Sequence, residues 1–257
     1  MLDNYESFKK DVLSLTGIDL NSYKEGQMKR RIDSLISRNK LTGYNSYVNI
    51  IRTNRDKFDE FVNYLTINVS EFWRNGEQWA ILEKDVLPVI TKSGSVKIWS
   101  AACSTGDEPY SLVMLLRKYL DFSRIKITAS DLDKQVLAAA KTGIYMEKSL
   151  KGLPAEFRTK YFKQLPNGQF EVSADLKRCI TFMEHNLLSN SYPSDFDMIV
   201  CRNVLIYFTD EAKEAIYRRF YKSLKANGIL FLGSTEQILH PKDYGFEPIS
   251  SFFYKKI

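Results

Sequence analysis

Apolar positions in the first 90 residues recur at the three- and four-residue spacing of helices. Met28, Ile32, Leu35 and Ile36 fall on one face of residues 22–40, which predicts a helix buried on that side. Arg30, Arg31 and Arg38 then lie on the opposite and flanking faces, pointing to water. Beyond Gly43 the helical pattern continues through Tyr47, Ile50 and Ile51 and on to Phe58, Phe61, Val62 and Leu65. Residues 77–90, after Arg74-Asn75-Gly76, read as a connecting helix. After Gly94 the period changes. Short apolar runs at 96–100 (VKIWS), 126–130 (KITAS), 178–184 (RCITFME), 196–201 (FDMIVC) and 228–234 (GILFLGS) predict strands. Helical patterns over 110–120, 134–142 and 210–225 lie between them, the last capped by Thr209 or Asp210. FEPIS and SFFYKKI at the end of the chain predict a closing hairpin or strand. Strand–helix alternation of this kind gives an α/β fold, a parallel sheet with helices on both faces. Residues 145–178 depart from it: Asn167-Gly168 between two alternating runs predicts an inserted antiparallel element. The expected division is a helical domain over 1–75, a connecting segment over 76–94, and a sheet domain over 95–257 that carries the insert at about 145–178.

Composition changes this picture little. The 257 residues are 44% hydrophobic and 26% charged, with 12 Gly and 7 Pro, which excludes collagen-like, disordered and low-complexity classes. No apolar run approaches the roughly 18–20 residues of a bilayer span, and MLDNYESFKKD is no signal peptide, so a cytoplasmic protein without direct membrane insertion is expected. Cys103, Cys179 and Cys201 form no CxxC pair, and His185 and His240 are the only histidines. That leaves no metal-ligand spacing and no disulfide framework. Nothing demands more than a monomer. The net charge of +6 suggests an acidic partner. Residues 24–57 alone carry nine basic side chains against Glu25, Asp33 and Asp56. A solvated helix face is the bland explanation of such a run.

Candidate chemistry sits at the predicted strand ends, where open α/β sheets bind ligands. Ala101-Ala102-Cys103-Ser104-Thr105-Gly106-Asp107-Glu108-Pro109 follows the first strand. Its small residues admit a ligand close to the backbone, and Pro109 suits a first helical turn. Two acidic residues where a pyrophosphate would sit argue against a dinucleotide and for a cationic or phosphate-free ligand. Asp131, ending the second strand, is placed to hold two ribose hydroxyls, and Asn186, after the third, an adenine edge. Each alone is more often a cap or turn residue. Together they favour an adenosine ligand without phosphates, and S-adenosylmethionine fits.

LTINVSEFWR (65–74), WSAACSTGDEPYSL (99–112), SDLD (130–133), HNLL (185–188) and CRNVLIYF (201–208) resemble the chemotaxis receptor methyltransferases, the CheR family. The resemblance covers almost the whole chain. It implies a Rossmann-like S-adenosylmethionine-dependent methyltransferase fold with an all-helical N-terminal domain. It also implies methyl transfer to glutamate side chains of membrane chemoreceptors, leaving S-adenosyl-L-homocysteine, in a cytoplasmic enzyme recruited to those receptors. By matching positions, Asn68, Ser70 and Arg74 of the helical domain would close over the cofactor. Ala102 and Glu108 would line its tail pocket, Glu108 facing the amino group. Asp131 would bind the ribose, Asn186 and Leu187 the adenine side, and Arg202 with Asn203 the site floor. Tyr207 would sit beside the transferred methyl, with Arg74 as its catalytic companion. Receptors of this kind are helical bundles lined with glutamates, so the resemblance also makes Arg30, Arg31 and Arg38 a docking face. Some members hold a receptor tether through a glycine-rich loop in the insert; here that loop is the short Gln164-Leu165-Pro166-Asn167-Gly168.

The implied reaction needs little acid–base help. A glutamate carboxylate, with a reference pKa of about 4.3, is already a nucleophile at pH 7, so the missing strand-end histidine is no obstacle. The demand is alignment, worth up to roughly 7–11 kcal/mol of a barrier. Tyr207, with Phe72 and Phe208 as further candidates, would face the sulfonium cation; core packing after a buried strand is the competing reading, accepted for Phe208 but not for Tyr207. Two alternatives would carry different signatures. A nucleic-acid methyltransferase would carry an [ND]PP[YF] loop where this chain has Arg202-Asn203-Val204-Leu205. A non-catalytic S-adenosylmethionine-binding module would be expected to have lost some family-matching positions, and this chain retains them.

Overall fold

The computed structural model describes residues 4–257, and the chain divides into two compact units. The first holds the chain up to Asn68 together with a later segment, Tyr207–Ala215. Four helices build it: α1 (Tyr5–Thr16), α2 (Glu25–Arg38), α3 (Tyr44–Thr53) and α4 (Arg55–Thr66). Their ends follow local chemistry. The Asn4 side chain accepts from the Ser7 amide at 3.0 Å, and Gly17, at φ +71°, closes α1 by donating to the Leu13 carbonyl. The single helical pattern expected across 47–65 is broken at Asn54. Its extended backbone stops α3, and its side chain caps α4 by accepting from the Lys57 amide at 3.1 Å. The α2 face of Met28, Ile32, Leu35 and Ile36 is buried, and an aromatic cluster fills the unit's centre, with Phe8 and Tyr44 rings 4.9 Å apart and Tyr47 and Phe61 5.7 Å apart.

The later segment completes this unit by backbone pairing. Lys24 donates to the Tyr207 carbonyl and Thr209 to the Ser22 carbonyl, both at 2.9 Å, which makes an antiparallel bridge between Tyr23 and Phe208. The two rings meet edge to face at 4.9 Å, and Phe208 is buried. Phe208 is therefore core, but core of the helical unit. The division expected from the sequence places it in the sheet domain, 95–257; its ring and backbone partners place it here.

The second unit comprises Val69–Ile206 and Ile216–Ile257. It opens with α5 (Gly76–Ile81) and α6 (Leu87–Ile90), joined by a π-helical turn over Leu82–Val86, where one continuous helix was expected. There follow β1 (Val96–Ala101), α7 (Asp107–Leu116), β2 (Ile125–Asp131) and α8 (Lys134–Thr142). Next come β3 (Ile144–Tyr145), α9 (Ala155–Tyr161), β4 (Phe162–Gln164), β5 (Phe170–Val172) and α10 (Ala174–Arg178). The chain ends with β6 (Ile180–Glu184), β7 (Phe196–Cys201), α11 (Asp210–Ser223, of which the residues up to Ala215 fall in the first unit), β8 (Leu224–Leu232), β9 (Phe246–Ser250) and β10 (Phe253–Lys256). The main sheet has the order β6-β2-β1-β7-β8-β10-β9. Its first five strands are parallel, whereas β10 runs antiparallel to both neighbours, so the sheet is mixed rather than parallel throughout. The insert is the expected antiparallel element, a second sheet of order β3-β5-β4. Its β4–β5 turn has Gly168 at φ +80°. Strand β6 starts two residues later than its apolar run suggested, because Arg178 ends α10.

Phe208 anchors the first unit's late segment. Phe208→Ala is expected to cost about 3–5 kcal/mol, the usual loss for a buried Phe, read as a shift of the urea midpoint. A loss below about 1 kcal/mol would mean that residues 207–215 do not belong to that core.

Candidate active site

The sheet order reverses between β1 and β7, from which the chain winds outward in opposite directions, and ligands of open α/β sheets bind at such a switch point. After β1 the backbone takes an unusual path. Ala102 and Ser104 have φ of +65° and +47°, and Gly106 has +89°. Left-handed conformations at non-glycine residues are costly and concentrate at functional sites. Glycine is needed at 106, where a Cβ would lie 2.9 Å from that of Ala140. After β7, Asn203 is again left-handed at +61°.

These turns aim carboxylates at the strand ends. Asp131 closes β2 and accepts from the amides of Ser104 at 2.8 Å and Asp133 at 3.1 Å. Burial nonetheless pushes its carboxyl above the ordinary value. Asp107 opens α7, buried, with the Thr105 hydroxyl at 2.5 Å and the Ser70 side chain beside it; burial raises it too. Glu108 accepts from the Ser100 hydroxyl at 2.8 Å and pairs with the Arg202 guanidinium at 3.3 Å. Burial pushes Glu108 up and Arg202 down, each opposed by the other's charge. Arg202, only 2% exposed in its side chain, also donates to the Gln78 side chain and the Arg74 carbonyl, both at 2.7 Å, and lies over the Phe231 ring at 4.9 Å. The thiol of Cys103 registers the surrounding field: burial raises its pKa, and Asp131, Glu108 and Asp107 raise it further.

The site residues expected from the sequence are thus partly gathered. Ala102, Glu108, Asp131, Arg202 and Asn203 share the strand ends beside the switch point. Asn186 and Leu187 follow β6, where the Asn186 side chain accepts from the Leu188 amide at 2.9 Å. Ser70 and Arg74 are not a lid lent by the helical domain, because both belong to the second unit. The 69–75 segment is fixed there by Phe72 donating to the Ser149 carbonyl at 3.1 Å and by Trp73 donating to the Ser111 hydroxyl at 3.3 Å. Asn68 ends the first part of the helical unit and Tyr207 opens its second. Phe72 is no sulfonium partner: it is fully buried, edge to face with Tyr145 at 4.8 Å and Phe162 at 5.2 Å. Gln78, a polar residue on a helix, gave no sequence signal of its buried role.

The arginines of α2 differ from one another. Arg30 is exposed, its Nε on the Gly26 carbonyl at 3.0 Å. Arg38 is exposed and pairs with Glu60 at 3.0 Å. Arg31 does not point to water. It is half-buried, donates to the Tyr64 carbonyl, and its guanidinium lies 4.6 Å from the centre of the Tyr64 ring. A partner on α4 captures it, which helical periodicity alone does not reveal.

Comparison with known proteins decides the kinship. Residues 68–253 match the family model described as "CheR methyltransferase, SAM binding domain", and residues 3–66 match "CheR methyltransferase, all-alpha domain". The chain belongs to the CheR methyltransferase family. A chemotaxis protein methyltransferase of Listeria monocytogenes is 40% identical over 255 residues, 98% of this chain and 97% of that protein. Proteins of the same description are 39% identical over 255 residues in Listeria innocua, covering 98% of this chain and 97% of that protein, and 35% identical over 233 residues in Escherichia coli, covering 87% and 80%. The family cofactor is S-adenosylmethionine. The donor set fits it: carboxylates suit ribose hydroxyls and an ammonium group, and the Ser104 hydroxyl is buried without a hydrogen-bond partner. Among the described residues no helix is long and apolar enough to cross a membrane.

His185, after β6, makes a pH test possible. Its ring lies 5.2 Å from those of both Trp99 and Tyr192, and burial, with Arg219 nearby, holds its pKa below the ordinary value. The unfolded chain, with histidine near pKa 6.5, takes up this proton before the native state does. The site's contribution to stability is therefore whole above about pH 6.5 and is lost as the pH falls below it. Subtracting the denaturation free energies of His185→Phe from those of the parent between pH 7.5 and 5 isolates this slope from that of the carboxylates. A pH-independent difference would refute it.

Proposed function

We propose that this family member methylates glutamate side chains of membrane chemoreceptors, forming glutamyl methyl esters, as a cytoplasmic enzyme recruited to those receptors. The observation that carries the reading is a carboxylate-lined site at the switch point of a chain akin to chemotaxis methyltransferases. When bound, S-adenosylmethionine supplies a methyl group made electrophilic by a sulfonium charge. Asp131 would hold the ribose hydroxyls, Asn186 and Leu187 the adenine, and Glu108 the ammonium of the amino-acid tail. Arg74, whose charge lowers the pKa of Arg202, would offer the tail carboxylate a cation. Ser70, Ala102 and Asn203 would complete the lining. Asn68 and Tyr207 remain assignments from family resemblance, Tyr207 beside the methyl.

A carboxylate acceptor needs no proton removed, so alignment and exclusion of water are the chain's main contributions. The three cysteines are buried, and burial raises each thiol, which disfavours a thiolate nucleophile. For docking, the exposed Arg30 and Arg38 remain suited to an acidic helical bundle, through association rate more than affinity.

Two measurements test the reading. Incubation with receptor-containing membranes and methyl-labelled cofactor is expected to place base-labile label on a membrane protein; base-stable label, or label on nucleic acid, would sink the glutamate assignment. Asp131→Ala is expected to weaken cofactor binding at least tenfold, since hydrogen bonds to a charged group are worth about 1.5–3 kcal/mol. Unchanged affinity in calorimetry would remove Asp131 from the ribose site.

A further inference from the structure

Glu236 lies beyond β8, in a stretch where the sequence suggested no chemistry. It is 5% exposed and has no cationic partner among the described residues. Instead its carboxylate collects four backbone amides. Oε2 accepts from Asn203 at 2.6 Å and Gly233 at 2.9 Å, and Oε1 from Leu205 at 2.7 Å and Ile206 at 3.3 Å. Three of these donors belong to the turn after β7 that begins with the left-handed Asn203 and ends just before Tyr207. Both walls of the arrangement are tight. A Cβ at Gly233 would strike Glu236 Oε2 and come within 2.9 Å of the Asn203 amide.

A neutral side chain cannot replace this carboxylate. Each oxygen faces two N–H donors, so an amide of the same shape would turn its own NH2 against one pair. The charge also reaches further, since Glu236 raises the pKa of Glu108 and Cys201 and raises that of Arg202.

We infer that Glu236 is a positioning residue of the methyltransferase site: its carboxylate fixes the Asn203–Ile206 turn in the strained shape that presents Asn203 to the cofactor. This rests on the assignment of Asn203 and Asp131 to the S-adenosylmethionine site.

The test uses the full chain, with Glu236→Gln, Gly233→Ala and their double variant, and Asp131→Ala as reference. Measurements are made at a temperature where melting curves show each variant folded. Affinity for S-adenosylmethionine is read by calorimetry, and KM and kcat by methyl transfer. Positioning predicts that Glu236→Gln weakens cofactor binding at least tenfold and raises the cofactor KM in step. Gly233→Ala should do the same from the other side of the contact. The double variant should then bind within about threefold of the weaker single one, because both disturb one turn. A role confined to stability would reduce the fraction of active molecules, hence kcat, and leave Kd and KM unchanged; that result overturns the inference. So do losses that multiply in the double variant. If Glu236→Gln does not fold, Gly233→Ala alone decides on the same Kd and KM criteria. A parent that binds cofactor and loses binding in Asp131→Ala, beside a Glu236→Gln that binds normally, refutes positioning alone. A parent that binds no cofactor refutes the site as a whole, and the inference with it.

Discussion

The buried guanidinium of Arg202 is the constraint around which the second unit is arranged. A charge withdrawn from water is tolerated only when paired and hydrogen-bonded, and removing its partner typically costs about 3–5 kcal/mol. Arg202 draws its partners from two other stretches of chain: Glu108 at the start of α7, and the 74–78 segment, which supplies the Arg74 carbonyl and the Gln78 side chain. The 74–78 segment, the loop after β1 and the end of β7 must therefore converge. The same pairing opposes the effect of burial, which still pushes the Glu108 carboxyl up. One ion pair thus satisfies the buried charge and ties these segments together.

Around it the backbone is bent into conformations that most side chains avoid. Ala102, Ser104 and Asn203 have positive φ on the two strand ends beside the switch point. At two of the three, bonding to a carboxylate accompanies the bend: Asp131 takes the Ser104 amide and Glu236 the Asn203 amide. Acidic residues in this site consequently hold amides in a shape the chain would otherwise leave.

Much of this was legible beforehand, for physical reasons. Strands β1, β2 and β7 are apolar runs bounded by turn residues, and Glu108 and Asp131 stand out because acidic residues beside such runs need an explanation. The start of β8 was hidden, since Lys225, Ala226 and Asn227 resemble the tail of a helix more than a strand. Membership of 69–75 and 207–215 was hidden for another reason: it is decided by contacts distant in sequence, such as Phe72 with Phe162 or Phe208 with Tyr23. Arg31, Gln78 and Glu236 escaped because a polar residue reads as solvated until its acceptors or donors arrive from elsewhere in the chain.

The bridge between Tyr23 and Phe208 has a consequence for the order of events during synthesis. Helices α1 to α4 leave the ribosome early, yet the strand segment that completes their unit is made only after most of the sheet has been translated. At about 5–20 residues per second, that delay is on the order of ten seconds. Throughout it Tyr23 lacks the ring that covers it, and the backbone of residues 22–24 lacks its hydrogen-bonding partner. The helical unit of the nascent chain is thus an incomplete core awaiting a distant segment, and its final closure couples the folding of the beginning of the chain to that of its last third.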